Sequence, residues 1–179
     1  SSTRPPAVYR GNPFIIEAAL AYGGTGQPSD QPARLLRYAN RVPLLYQQGA
    51  GACFNSATKV NWRNYNVQQP RGGLPSAPLT IVIHMASVWV PFTSESKEAI
   101  ASYPEIEEQI IRAIQEIGRK LRIHLSRQRR SKEADRKRTY IEMYIPHIGI
   151  GLRDLLGLDK AAEAKVVETL TGLLERDKD

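Results

Sequence analysis

The chain has a single cysteine, Cys53, so it can form no internal disulfide and offers no thiolate cluster for zinc. Cys53 reads best as a small buried hydrophobe. The three histidines, His84, His124 and His147, stand far apart and have no carboxylate partner nearby along the chain, so they read as non-ligands and no metal site is expected. No Ser/His/Asp or paired-carboxylate spacing stands out, and no complete active site is expected within these residues. No run approaches the about 18 apolar residues of a membrane-spanning helix. There is no signal-peptide pattern and no internal repeat. With no methionine at its start, the chain reads as a piece of a longer, intracellular protein.

What is present suits one globular domain with an appendage: 179 residues, 41% of them apolar, can bury a core. The formal charge of +7 is not spread evenly. Arg119 to Arg138 holds ten Lys/Arg against Glu133 and Asp135, a local +8, and the other residues together are close to neutral. The basic character is one segment.

Leu79 to Ile100 is the stretch around which the rest arranges itself. Leu79, Ile81, Val82, Ile83, Met85 and then Val88, Trp89 and Val90 form a short, nearly continuous apolar run, expected to be a strand covered on both faces and ended by Pro91. A small polar loop from Thr93 delivers Lys97. Before this stretch, Pro5, Pro6 and Pro13 predict an extended entry into a strand over Phe14–Tyr22. Gly23–Pro32 reads as a loop, Arg34–Ala39 and Val42–Tyr46 as strands turning at Asn40-Arg41, and a short helix is expected from about Cys53. Asn61–Tyr65 is a loop or a short strand. After it, Ser102-Tyr-Pro-Glu105 predicts a capping box. Ile106, Ile110, Ala113 or Ile114, Ile117, Leu121 and Leu125 give one apolar stripe. That helix is expected over about 103–144, roughly 60 Å, with Pro146 ending it. A last helix, Asp159–Arg176, is capped by Asp159.

The candidate sites each carry a plain alternative. Gly23-Gly24-Thr25-Gly26 lacks a following GK[ST] and leads into a strand, so a hairpin loop is expected in preference to a phosphate loop. The basic segment, with Arg127, Arg129 and Arg130, is either a solvated helix face or a contact for nucleic-acid phosphates or an acidic partner. The arginines occur all round the helix with no aromatic platform, so base readout is not indicated. Trp62 either closes the core under the adjacent loop, the favoured reading, or joins Arg63 and Tyr65 in a nucleic-acid contact. Lys97, taken alone, is an ordinary surface lysine.

Taken together, RPPAVYRGNPFIIEAALAYGG (Arg4–Gly24), LLRYANRVPLLYQQG (Leu35–Gly49), VNWRNY (Val60–Tyr65), IVIHMASVWVPFTSESKEAIA (Ile81–Ala101) and EIGRKLRIHLSRQRR resemble the transducer domain of type IIB DNA topoisomerases, the C-terminal part of the topoisomerase VI B subunit. The resemblance runs in order to about Pro146 and is weak beyond it. It implies an α/β (α+β) split βαβ fold shared with GHKL ATPases and a small-subunit ribosomal protein. The transducer would occupy 1–146, followed by a helical extension over 147–179. It implies ATP and Mg²⁺ bound mainly in a separate GHKL domain, a second B subunit joined through that domain, an A subunit that cleaves DNA, and DNA itself. No membrane partner is implied. Lys97 matches a switch lysine in a KE-x-I-A motif that senses the ATP γ-phosphate, a role suited to a point cation. Trp62, Arg63 and Tyr65 match a W-K-x-Y element facing DNA, with arginine in place of lysine. Val88-Trp89 stands where many relatives carry Thr-Lys. A different class of function stays open: a non-catalytic topoisomerase-B-like scaffold or DNA-binding partner of a break-forming protein. A stand-alone RNA-binding module would leave Lys97 without a reason.

Overall fold

The computed structural model describes residues 1–24 and 30–176. Thr25 and Gly26 of the glycine-rich loop therefore lie outside the described residues. Strands β1 (Ser2–Thr3) and β2 (Ala7–Tyr9) both pair antiparallel with β3 (Asn12–Tyr22), so much of the segment ahead of Phe14 is sheet, with Pro5 and Pro6 in the gap between strands. The β2–β3 turn places Arg10 and Gly11 at φ 47° and 79°, the double left-handed geometry whose twist suits a two-residue hairpin. Strands β4 (Arg34–Ala39) and β5 (Val42–Pro43) turn the same way at Asn40-Arg41, as expected from the sequence. Helix α1 (Gly51–Lys59) follows, then a 3₁₀ turn (Trp62–Tyr65), strand β6 (Leu79–Ser87), and helices α2 (Pro104–Leu156) and α3 (Lys160–Arg176).

The sheet order is β1-β3-β6-β4-β5. β6 is central, antiparallel to β3 and parallel to β4, with α1 in the β4–β6 crossover. The fold is α/β, a βαβ unit extended by an antiparallel strand and followed by long helices. β6 is not covered on both faces. Leu79, Ile81, Ile83 and Met85 are buried, whereas Thr80, Val82, His84 and Ala86 are half-exposed. Helical residues join the buried set on one side only: Ala52, Cys53 and Ala57 of α1, and Ile106, Ile110, Ala113, Ile114, Ile117 and Leu121 of α2. Each fully buried isoleucine contributes roughly 1.5–3 kcal/mol relative to exposure, so this single layer carries the unit.

Three boundaries differ from the sequence expectations. β6 stops at Ser87, where the Asn40 side chain donates to the Ser87 carbonyl (2.9 Å) and accepts its N–H (3.0 Å). Val88 and Trp89 then project into solvent at 87% and 56% exposure, so Pro91 does not set the end of the strand. The capping box does not form. Pro104 is the first helical residue, a position that tolerates its missing N–H, and the Tyr103 carbonyl receives Ile106 and Glu107 while the Ser102 hydroxyl accepts from Asn55.

Pro146 does not end α2. Helical hydrogen bonding resumes to Leu156, where Gly157 at φ 65° and a Leu158 N–H to the Arg153 carbonyl close the helix as a Schellman turn. One lost hydrogen bond is offset locally. Ile145 is buried, Gly149 sits where any Cβ would meet Val167 at 2.7 Å, and Arg153 pairs with Glu163 of α3 at 2.8 Å. Asp159 caps α3 by accepting the Ala162 N–H. The chain divides into two compact units, Ser1–Leu125 and Ser126–Asp179, a division that falls where the apolar stripe ends.

Candidate functional site

Residues 91–101 form a narrow loop closed by its own backbone. Ala101 donates to Pro91, Thr93 donates to Ala99, and Phe92 bridges Ile100, so the tip residues 94–98 are held between two rungs. Within the tip, the Lys97 N–H returns to the Ser94 carbonyl at 3.1 Å and Lys97 takes φ 54°. A lysine in the left-handed region is uncommon and persists only where surroundings enforce it. The base of the loop, three residues beyond Lys97, is tied to α1. Ala52 donates to the Ile100 carbonyl at 2.8 Å, and Gly51, at φ 81°, lies so close that a Cβ there would meet the Ile100 oxygen at 2.6 Å. The Gln47 amide donates to the Glu98 carboxylate. The Lys97 side chain is exposed and makes no ion pair among the described residues, so a point cation stands at the tip of the loop.

The Trp62–Tyr65 turn is different in kind. Trp62 is fully buried, and its indole N–H donates to the Ala57 carbonyl at 2.8 Å. The core-closing reading of Trp62 therefore holds, and its side chain is unavailable to a nucleic acid. Tyr65 is also buried, edge-on to Trp62, with its ring against Gly118 of α2. Of the three, Arg63 alone is exposed, beside an open notch of about 600 Å³ lined also by Asn66, Gln68 and Pro70. Gln69 braces the turn, accepting the Trp62 N–H and donating to Thr58 and Gly73 carbonyls. No hydrogen bond or ion pair joins this turn to the Lys97 loop among the described residues.

In the second unit, Arg127, Arg129 and Arg130 are all exposed on α2. Arg129 is paired with Glu133 at 2.8 Å one turn on, and Arg138 likewise with Glu142, whereas Arg127 and Arg130 have no acidic partner among the described residues. Exposed pairs at this spacing are worth only about 0.3–0.5 kcal/mol, so the segment keeps most of its positive potential. Among the described residues no three His, Cys, Asp or Glu gather as a metal site, and no helix is long and apolar enough to cross a membrane.

Gln47, which bonds Glu98 of the loop, and Arg37, which holds Gln47, carry no motif that marks them in the sequence. Gln47 sits in a loop of ordinary composition. Arg37 occupies an inward-facing position of β4, between Leu35 and Ala39, where a charge breaks the alternation. It is 3% exposed, and its guanidinium donates to the carbonyls of Leu44, Tyr46 and Gln47 at 2.8–3.0 Å. That break in alternation is the legible signal, since a buried arginine needs a set of acceptors such as these three carbonyls.

Comparisons with known proteins show the family. The family described as topoisomerase VI B subunit, transducer, matches residues 1–137. The type 2 DNA topoisomerase 6 B subunit of Methanosarcina acetivorans is 42% identical over 174 residues, 97% of this chain and 28% of that protein. Its counterpart in Archaeoglobus fulgidus is 42% identical over 176 residues, 98% of this chain and 29% of that protein. Similarity thus continues past Pro146, farther than the sequence motifs reach. The chain spans under a third of the length of these relatives. Among solved structures, the B-subunit of DNA gyrase from Myxococcus xanthus aligns at 21% identity and a TM-score of 0.41, covering 65% of this chain and 32% of that one.

Proposed function

Because the chain belongs to the transducer family of topoisomerase VI B subunits, we propose that it couples nucleotide state to DNA strand passage in an ATP-dependent type IIB topoisomerase. The match over residues 1–137, which contains the Lys97 loop, carries this reading. ATP and Mg²⁺ belong to another part of the same polypeptide, through which a second copy is joined. When bound there, the nucleotide supplies the free energy of the cycle. DNA cleavage belongs to an A subunit, and the DNA lies inside the cell.

Within this chain, Lys97 is the γ-phosphate sensor. An exposed, unpaired ammonium at the tip of the loop suits the task, because its interaction depends on whether the third phosphate is present. A unit charge at about 4 Å is worth roughly 4 kcal/mol at an intermediate dielectric, enough to bias two positions of a domain. Helix α2 leaves the sheet a few residues after the loop and carries the response toward the A subunit. Arg63 of the 3₁₀ turn and Arg127 and Arg130 of α2 are the cations toward DNA phosphates, with Arg129 weaker because it is already paired.

The test is Lys97→Ala in the complete two-subunit enzyme. ATP-dependent relaxation falls while the variant protein melts at the parent temperature. Unchanged ATP turnover and strand passage would remove the sensor role.

A further inference from the structure

Among the described residues, six that are not glycine adopt positive φ. Arg10, Asn40 and Arg41 do so in two-residue hairpin turns, and Asn66 closes the 3₁₀ turn. The other two are Gln47 and Lys97, at φ 48° and 54°, and one side-chain bond links their turns: Gln47 Nε2 donates to Glu98 Oε2. Such conformations persist where the surroundings support them. On one side the fixing group is Arg37, whose Nη1 donates to the Gln47 carbonyl at 2.9 Å and whose Nη2 holds the Tyr46 and Leu44 carbonyls. On the other it is α1, through Ala52 on Ile100.

We infer that Gln47 is a positioning residue for Lys97, acting by capturing the Glu98 carboxylate. This rests on the sensor reading of Lys97. Glu98 is the next residue after the lysine, and Glu95 lies two before it, so two carboxylates are within reach of the ammonium by chain connectivity. A carboxylate on the ammonium would neutralise the charge an incoming phosphate must meet, and would add like-charge repulsion of its own. Bonding to Gln47 turns Glu98 aside. Glutamine is the side chain for this because it donates without charge, so it holds the carboxylate and sets up no competing cation. Arg37 extends the same function inward. It anchors the Gln47 backbone in the left-handed region from which the side chain reaches Glu98.

The experiment uses the complete two-subunit enzyme, with ATP-dependent relaxation, ATP kcat and KM, and thermal melting as readouts. Gln47→Glu sets two carboxylates against each other and frees Glu98. It is expected to lower kcat/KM for ATP about tenfold, by returning the Glu98 carboxylate to the ammonium, with only a small drop in melting temperature because the lost bond is exposed. Combining Gln47→Glu with Glu98→Gln exchanges donor and acceptor and restores the parent value to within about twofold. In a Lys97→Ala background, Gln47→Glu adds nothing further. The inference is overturned if Gln47→Glu is neutral, if the exchange does not rescue, if melting falls in step with activity, or if the effects of Gln47→Glu and Lys97→Ala multiply. Loss of function in Lys97→Ala beside a neutral Gln47→Glu overturns the positioning role alone. An unaffected Lys97→Ala overturns the sensor reading and this inference with it.

Discussion

Gly118 lies against the ring of Tyr65, so that a Cβ on the glycine would stand 2.8 Å from Cε2 and 2.9 Å from Cδ2 of the tyrosine. The contact lets α2 pass over the Trp62–Tyr65 turn at backbone distance. The turn therefore takes its place from the helix as well as from its own loop.

Gly118→Ala places two rules in opposition. Alanine gains about 1 kcal/mol of helix propensity over glycine. The clash is with a rigid ring backed by Trp62, and overpacking of that kind costs about 1–3 kcal/mol. The steric cost wins. We expect a lower melting temperature by calorimetry, and a second substitution, Tyr65→Leu, to recover part of it.

Cys53 is a buried thiol whose pKa burial pushes up to about 12, with the nearby Arg37 guanidinium pulling the other way. The folded pKa lies above the unfolded one. Stability from this group is therefore fully present below the usual thiol range and is lost as pH rises through and beyond it. Alkylation at pH 8 should proceed only through opening of the unit, and so should slow as denaturant is withdrawn. Rapid native-state labelling by iodoacetamide would contradict the burial.

The Glu116 carboxyl is held below the usual range, first by the Ser2 hydroxyl that donates to it at 2.7 Å and then by Lys120, Arg4 and Arg119. A depressed folded pKa means a contribution present above the unfolded value and lost as pH falls through the folded one. Ser2→Ala should thus loosen β1 from α2 at neutral pH and matter less in acid. Hydrogen exchange of the Arg4 amide, bonded to Ile16, reads this directly. An equal effect at both pH values would refute it.

Removing Arg63, Arg127 or Arg130 should each reduce the log–log salt slope of DNA binding by the complete enzyme by about 0.9. Arg129→Ala should reduce it less, because Glu133 already holds that guanidinium. An unchanged slope in all four would return these arginines to a solvated surface.

Much of this was written in local pattern. The 3.6-residue recurrence from Ile106 to Leu125 specified the helix face that is buried, and Asn40-Arg41 and Asp159 marked their turn and cap through side-chain chemistry that acts over a few residues. The SKEAIA and WRNY stretches marked Lys97 and Trp62 by resemblance alone. Tertiary contacts decided the rest, because they depend on residues far apart in sequence. Pro146 reads locally as a stop, yet packing on α3 carries the helix past it. Trp62 reads from sequence as closing the core, and the bond of its indole to the Ala57 carbonyl shows how it does so. The Lys97 loop reads as ordinary and polar, yet Gly51, Ala52 and Gln47, nearly fifty residues upstream, tie down Glu98 and Ile100 beside it. Local pattern set the elements and their faces, and only the folded chain could set which cation stands unpaired at the tip of the loop.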